Sequence, residues 1–107
     1  MRGNISEIVL RLIKEFVRTN RWSFREPDNP KNETYIKKKG FTRKFLVEDV
    51  VLNLKEDEFV KKERAHKNTG DVYIFKKIYD GGWIYVKVEI LDDFLHMTIW
   101  SIHEEDL

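Results

Sequence analysis

The chain has 107 residues, 41% of them hydrophobic and 36% charged, with a formal net charge of +1. That length supports one hydrophobic core and predicts a single domain over residues 1–107. Having no cysteine, the chain makes no disulfide or thiolate zinc site; its three histidines fall at no zinc-finger or HExxH spacing, and no apolar run approaches a membrane span.

Met1 to Asn20 is an amphipathic pattern interrupted by acids rather than a secretory signal, so the expected location is the cytoplasm of a microbe, with no membrane partner. Ile5, Ile8, Val9, Leu12, Ile13, Phe16 and Val17 fall on one helical stripe, which Asn4 or Ser6 can cap. Trp22 to Arg25 reads as a short extended piece, followed by the turn-rich Glu26-Pro27-Asp28-Asn29-Pro30. Asn29 as N-cap and Pro30 at the first helical position open a second helix, which runs through Lys39 and stops at Gly40. Thr42 caps a third helix to about Leu54, with Phe45, Leu46, Val50, Val51 and Leu54 inward. Glu56-Asp57-Glu58-Phe59 starts another turn and carries Lys61, Lys62 and Arg64 toward a sheet.

From Gly70 the period changes to two. Asp80-Gly81-Gly82 offers the positive φ angles of a tight hairpin loop. Ile84, Val86, Val88 and Ile90 then form an apolar face, while Tyr85, Lys87 and Glu89 form the other. Any loop of even length places Lys76 on the Tyr85/Lys87 face; an odd loop breaks that inference. Asp92-Asp93 closes a second hairpin into Phe94–His103. If those two residues are the whole loop, Leu95, Met97 and Ile99 join the apolar face, and His96, Thr98 and Trp100 line up beside Glu89, Lys87 and Tyr85. Helices first and antiparallel strands last predict an α+β fold, with N-terminal helices on one face of a C-terminal antiparallel sheet and the other face open.

Charge is uneven along the chain. Residues 1–44 carry twelve Lys/Arg against five Asp/Glu, whereas residues 89–107 carry six acids and no Lys/Arg. A basic N-terminal half folded against the lysine-bearing hairpin makes a phosphate-attracting groove with the acidic tail as its rim; the plainer reading is an ordinary solvated surface.

Leu54-Lys55-Glu56-Asp57-Glu58-Phe59, the following Lys61 and Lys62, Gly70-Asp71-Val72-Tyr73-Ile74-Phe75, Tyr85-Val86-Lys87 and Ser101-Ile102-His103 together resemble the MqsR family of bacterial and archaeal toxins, grouped with the RelE-like mRNA interferases. The resemblance covers roughly the last two thirds of the chain. It departs from the family pattern in a longer last strand, in Glu58 where an aspartate is usual, and in Ile102 where phenylalanine is usual. It implies a RelE-like fold and the toxin of a type II toxin–antitoxin pair, acting as an endoribonuclease on single-stranded mRNA without a metal or other cofactor. The implied partners are mRNA, a cognate antitoxin protein and the ribosome.

Residue by residue, the resemblance puts Lys61, Tyr85, His103 and Lys87 in catalytic roles, with Lys62 substituting for Lys61 if the register slips. Lys62, Arg64, Lys76, His96 and Trp100 are the expected RNA-binding residues. Strict alternation favours His96 at the site and the motif favours His103; a bulge reconciles them. The chemistry is compatible with attack of a ribose 2′-hydroxyl on the adjacent phosphorus: histidine as acid or base, lysines holding the phosphorane, and aromatic rings to stack on bases.

Duller readings compete. Lys67 and Lys77 are expected to be solubilising, His66 a surface loop residue, and Trp22, Trp83 and Trp100 core or rim packing. His96 beside Glu89 is then a cross-strand polar pair, and Asp92-Asp93 a turn rather than a metal site. At the level of function, the alternatives are a noncatalytic nucleic-acid-binding module and a protein-interaction domain.

Overall fold

A computed structural model describes residues 4–25 and 30–105. The fold is α+β: three helices and a five-stranded sheet. Helix α1 spans Glu7–Arg18, strand β1 Trp22–Phe24, helix α2 Pro30–Lys39 and helix α3 Arg43–Val51. A 3-10 turn at Glu56–Glu58 leads into β2 (Phe59–Arg64), β3 (Gly70–Tyr79), β4 (Gly82–Leu91) and β5 (Met97–Glu104).

The helix boundaries follow from local chemistry. Ser6 caps α1 by accepting from the Ile8 amide at 3.2 Å, and Thr42 caps α3 by accepting from the Phe45 amide at 3.1 Å. Gly40, at φ +73°, ends α2, where its amide and that of Phe41 both reach the Ile36 carbonyl. Asn29, the expected cap of α2, lies outside the described residues. Two expected inward residues are not inward: Ile8 is 76% and Phe45 49% exposed, while Leu10 and Val47 are buried. Helix α3 also stops at Val51, and Leu54 is buried beyond its end.

The sheet order is β1-β5-β4-β3-β2. The C-terminal strands β2–β5 pair antiparallel as expected, and β1 adds a parallel strand beside β5, Trp22 opposite Met97 and Phe24 opposite Ile99, so that the whole sheet is mixed. The β3–β4 hairpin turns on Asp80 (φ +50°) and Gly81 (φ +84°), the primed turn whose twist matches a hairpin, while Gly82 already belongs to β4. This even loop pairs Lys76 with Tyr85.

Ile84, Val86, Val88, Ile99 and Ile102 are fully buried, in one cluster with Ile13, Phe16 and Val17 of α1 and Leu46, Val47, Val50 and Val51 of α3. Alternation leaves the other face of β2–β5 outside this core. Lys77 is a register partner of Ile84 and belongs to the core face. It is only 7% exposed, donates to the Asn53 carbonyl at 3.1 Å and lies 3.7 Å from Glu58. The expected solubilising role for Lys77 is therefore wrong: its stem is buried and its ammonium ties the sheet to the turn after α3.

Candidate functional site on the open face of the sheet

The open face has its own small apolar floor, made by Ala65, Val72 and Ile74, against which Val60 and Tyr85 pack. Above it stand Lys61 from β2, Lys76 from β3, Tyr85 and Lys87 from β4, and Trp100 and His103 from β5, a grouping set by the strand registers.

Two bulges aim these side chains. In β2 the register shifts between Phe59 and Lys61, so Phe59 meets Phe75 in the core while Lys61 meets Ile74 on the open face. In β5 Ile99 opposes Val88 but Ser101 opposes Lys87, leaving Trp100 as the extra residue. The bulge answers the choice between histidines: Ile102 returns to the core opposite Val86, and His103 emerges directly opposite Tyr85. His96 instead sits by the β4–β5 loop, bonded to Ser23 Oγ at 2.9 Å. That loop is longer than Asp92-Asp93, with the Leu91 amide reaching the His96 carbonyl.

Asn32 of α2 explains why β5 holds its bulge. It is 1% exposed; its amide nitrogen donates to the Trp100 carbonyl at 3.0 Å, and its amide oxygen accepts from the Ile102 amide at 2.8 Å. Backbone groups on this stretch of strand edge are thus satisfied by one side chain, where an unpaired buried amide would cost about 1–3 kcal/mol. Nothing local to β5 signals this, and Asn32 was not among the residues expected to matter.

The Tyr85 and His103 rings lie 6.1 Å apart at 24° between planes. His103 Nδ1 is 2.7 Å from the Glu104 carbonyl oxygen, an atom that only accepts, so Nδ1 is the donor of this bond and Nε2 is the ring nitrogen left to exchange a proton. Burial, first, and the Glu63 carboxylate, second, raise the Tyr85 phenol above its ordinary value against the opposing Lys61 and Lys76 ammonium groups. Tyr85 is therefore a protonated hydroxyl, ringed by two cations and one carboxylate.

Lys61 lies 3.2 Å from Glu63, and Lys76 is paired with Glu105. Exposed pairs of the Lys61–Glu63 kind are worth about 0–1 kcal/mol, so an arriving anion displaces the carboxylate at small cost. The Lys87 ammonium stands 5.0 Å, and the Arg25 guanidinium 3.7 Å, from the centroid of the Trp100 ring. The Trp100 indole donates to Glu89 at 2.9 Å, and Glu89, 2% exposed, also accepts from the Thr69 hydroxyl. Trp100 is thus held by its edge rather than packed in the core, and Glu89 pairs with Trp100 and Thr69 rather than with His96.

Lys62 does not join this group, and Arg64 reaches it only as part of the lining of a cavity shared with Lys87 and Trp100. Lys62 and Arg64 are register partners of Tyr73 and Asp71 and leave β2 by the opposite face. Lys62 lies 3.7 Å from Asp71, and Arg64 bonds Asn68, Asp71 and Asp92 at the end of the sheet. The bond to Asp92 dominates the upward shift of the Arg64 guanidinium and holds the Asp92 carboxyl below its ordinary range. His66 is the exposed loop residue expected, and it lines an open-face cavity of about 260 Å3 with Glu63, Arg64, Ala65, Val72, Lys87 and Trp100. Its placement depends on the β2–β3 loop, where Asn68 takes φ +58° and Gly70 is required because any Cβ there would meet the Ile90 carbonyl oxygen at 2.2 Å.

Among the described residues, no cluster of three His, Asp or Glu side chains is arranged to hold a metal ion, and no helix is long and apolar enough to cross a membrane. No protein-family model matches the chain, and neither does any curated protein.

Proposed function

We propose that the open face binds single-stranded RNA and cleaves it without a metal, as the toxin of a type II toxin–antitoxin pair. The observation that carries this reading is the Tyr85–His103 pair set among Lys61, Lys76 and Lys87. In this mechanism His103 Nε2 takes the 2′-hydroxyl proton as the 2′-oxygen bonds to phosphorus. The phosphorus–O5′ bond then breaks, leaving a 2′,3′-cyclic phosphate, and the departing oxygen takes a proton from the Lys61 ammonium. The Tyr85 hydroxyl donates to a non-bridging oxygen, and Lys76 and Lys87 balance the charge of the phosphorane. Trp100 and the nearby Arg25 give a flanking base a surface to stack on. The exposed Ile78 and Trp83, paired across the β3–β4 hairpin on the same face, are apolar surface for the antitoxin protein that this reading requires.

One observation favours a second reading, a protein-interaction module: Glu63, Glu89 and Glu105 alternate with the lysines and moderate the positive potential of the face.

Incubating purified protein with a long unstructured RNA in EDTA, with and without ribosomes, decides between them. Discrete fragments ending in cyclic phosphate, lost in Tyr85→Phe, Lys61→Ala and His103→Ala at unchanged melting temperature, are the expected result. Intact RNA in both arms, with salt-sensitive retention of the RNA, identifies a noncatalytic binding module. Intact RNA without retention overturns the nucleic-acid reading and leaves the protein-interaction one.

A further inference from the structure

His103 has a second neighbourhood. Beside β5, on the side of α2, lies a cavity of about 300 Å3 lined by Pro30, Lys31, Thr34, Tyr35, Lys38, His103 and Glu104. We propose that this α2–β5 cavity is a subsite for one unpaired nucleobase of the RNA strand whose phosphate lies between Tyr85 and His103. The inference rests on the reading above and names where the strand goes when it leaves the open face.

Five features support it. The cavity has the size and composition of a small-molecule site, with mostly apolar walls and a few polar groups. His103 belongs to both places, so a base in the cavity and a phosphate at Tyr85 are within reach of the same imidazole. Lys31 and Lys38 supply positive charge at its edge, where the phosphate flanking that base would lie. Lys38 is held by Glu104 at 2.9 Å, an exposed pair that an incoming phosphate can rearrange. Finally, Tyr35 forms part of the wall. The wall is also preorganised, because Asn32 fastens the same helix to the same strand by two hydrogen bonds.

Thr34 is exposed and its hydroxyl bonds back to the Pro30 carbonyl, so Thr34→Phe fills the cavity from the solvent side without entering the core. The probes are a fluorescent 2′-O-methyl RNA heptamer of mixed sequence, which cannot be cleaved, and the same ribose-phosphate backbone without bases, with melting temperature recorded for each protein. The wild type should bind the base-bearing heptamer more tightly than the abasic one. Thr34→Phe should weaken the first by about tenfold, the value of one lost base stack, and leave the second unchanged. Equal binding of the base-bearing heptamer by Thr34→Phe and wild type, at equal melting temperature, overturns the subsite while sparing the open-face reading. Absence of binding to either heptamer by the wild type at low salt overturns both. If Thr34→Phe lowers the melting temperature, Thr34→Leu takes its place, with the same requirement that binding of the base-bearing heptamer weaken while binding of the abasic one does not change.

Discussion

The two faces of the sheet are made from alternate residues of the same strands and differ in almost every physical respect. On the helix side Ile84, Val86, Val88, Ile99 and Ile102 are fully buried, and Lys77, a buried charged group on that side, has the Asn53 carbonyl and Glu58 as partners. On the other side the floor of Ala65, Val72 and Ile74 carries Lys61, Lys76, Tyr85, Lys87, Trp100 and His103. Cohesion is concentrated on one face, which leaves the other free to hold cations close together, an arrangement that a packed core could not tolerate.

The sharpest way to break this comparison is to substitute each face in turn and measure denaturant unfolding. Phe75→Ala, on the core face, should cost about 3–5 kcal/mol. Lys87→Ala, on the open face, should stay within about 0.5 kcal/mol of wild type while weakening RNA binding. Similar losses from both would show that the open face is structural.

A smaller effect is expected where the two faces are coupled. Asn32→Ala leaves the Trp100 carbonyl and the Ile102 amide without their partner and should cost about 1–3 kcal/mol. Because the bulge aims His103, cleavage should fall further than stability does in conditions where the variant remains folded. Cleavage that tracks only the folded fraction would show that the bulge does not need the clamp.

A further effect is alkaline and belongs to the edges of the core. Burial, then Asp80 and Glu104, push the Tyr35 phenol from 10.0 up to about 12, and burial with a hydrogen bond to Asp49 raises Tyr79 as well. The unfolded phenol releases its proton at a lower pH than the native one, so this contribution to stability is fully present below pH 10 and lost between pH 10 and about 12. Unfolding midpoints taken through that window should fall, and Tyr35→Phe should flatten the decline. A wild-type midpoint independent of pH across it would contradict the burial of these phenols.

Much of this architecture was legible because it is periodic or local. Ser6 and Thr42 announce their helices, Gly40 ends α2, and Asp80-Gly81 selects a two-residue primed turn. With that turn, period two places Lys76, Tyr85 and Lys87 together. The same pleat separates Lys62 and Arg64 from Lys61 and turns Lys77 inward, consequences that residue type alone had obscured. Ile8 and Phe45 were misplaced for a different reason: an apolar stripe shows which side of a helix is greasy, but not how far the neighbouring elements extend to cover it.

Local sequence thus determined the elements, the β3–β4 hairpin and the division of β4 into an apolar and a chemical face, because each depends on residues adjacent in the chain. Tertiary structure decided which histidine meets Tyr85, that His66 stands near Lys87, and that β1 closes the sheet in parallel. The reason is physical. A bulge is a one-residue choice with little local preference, and here it is set by a side chain of α2 that donates to one backbone group of β5 and accepts from another.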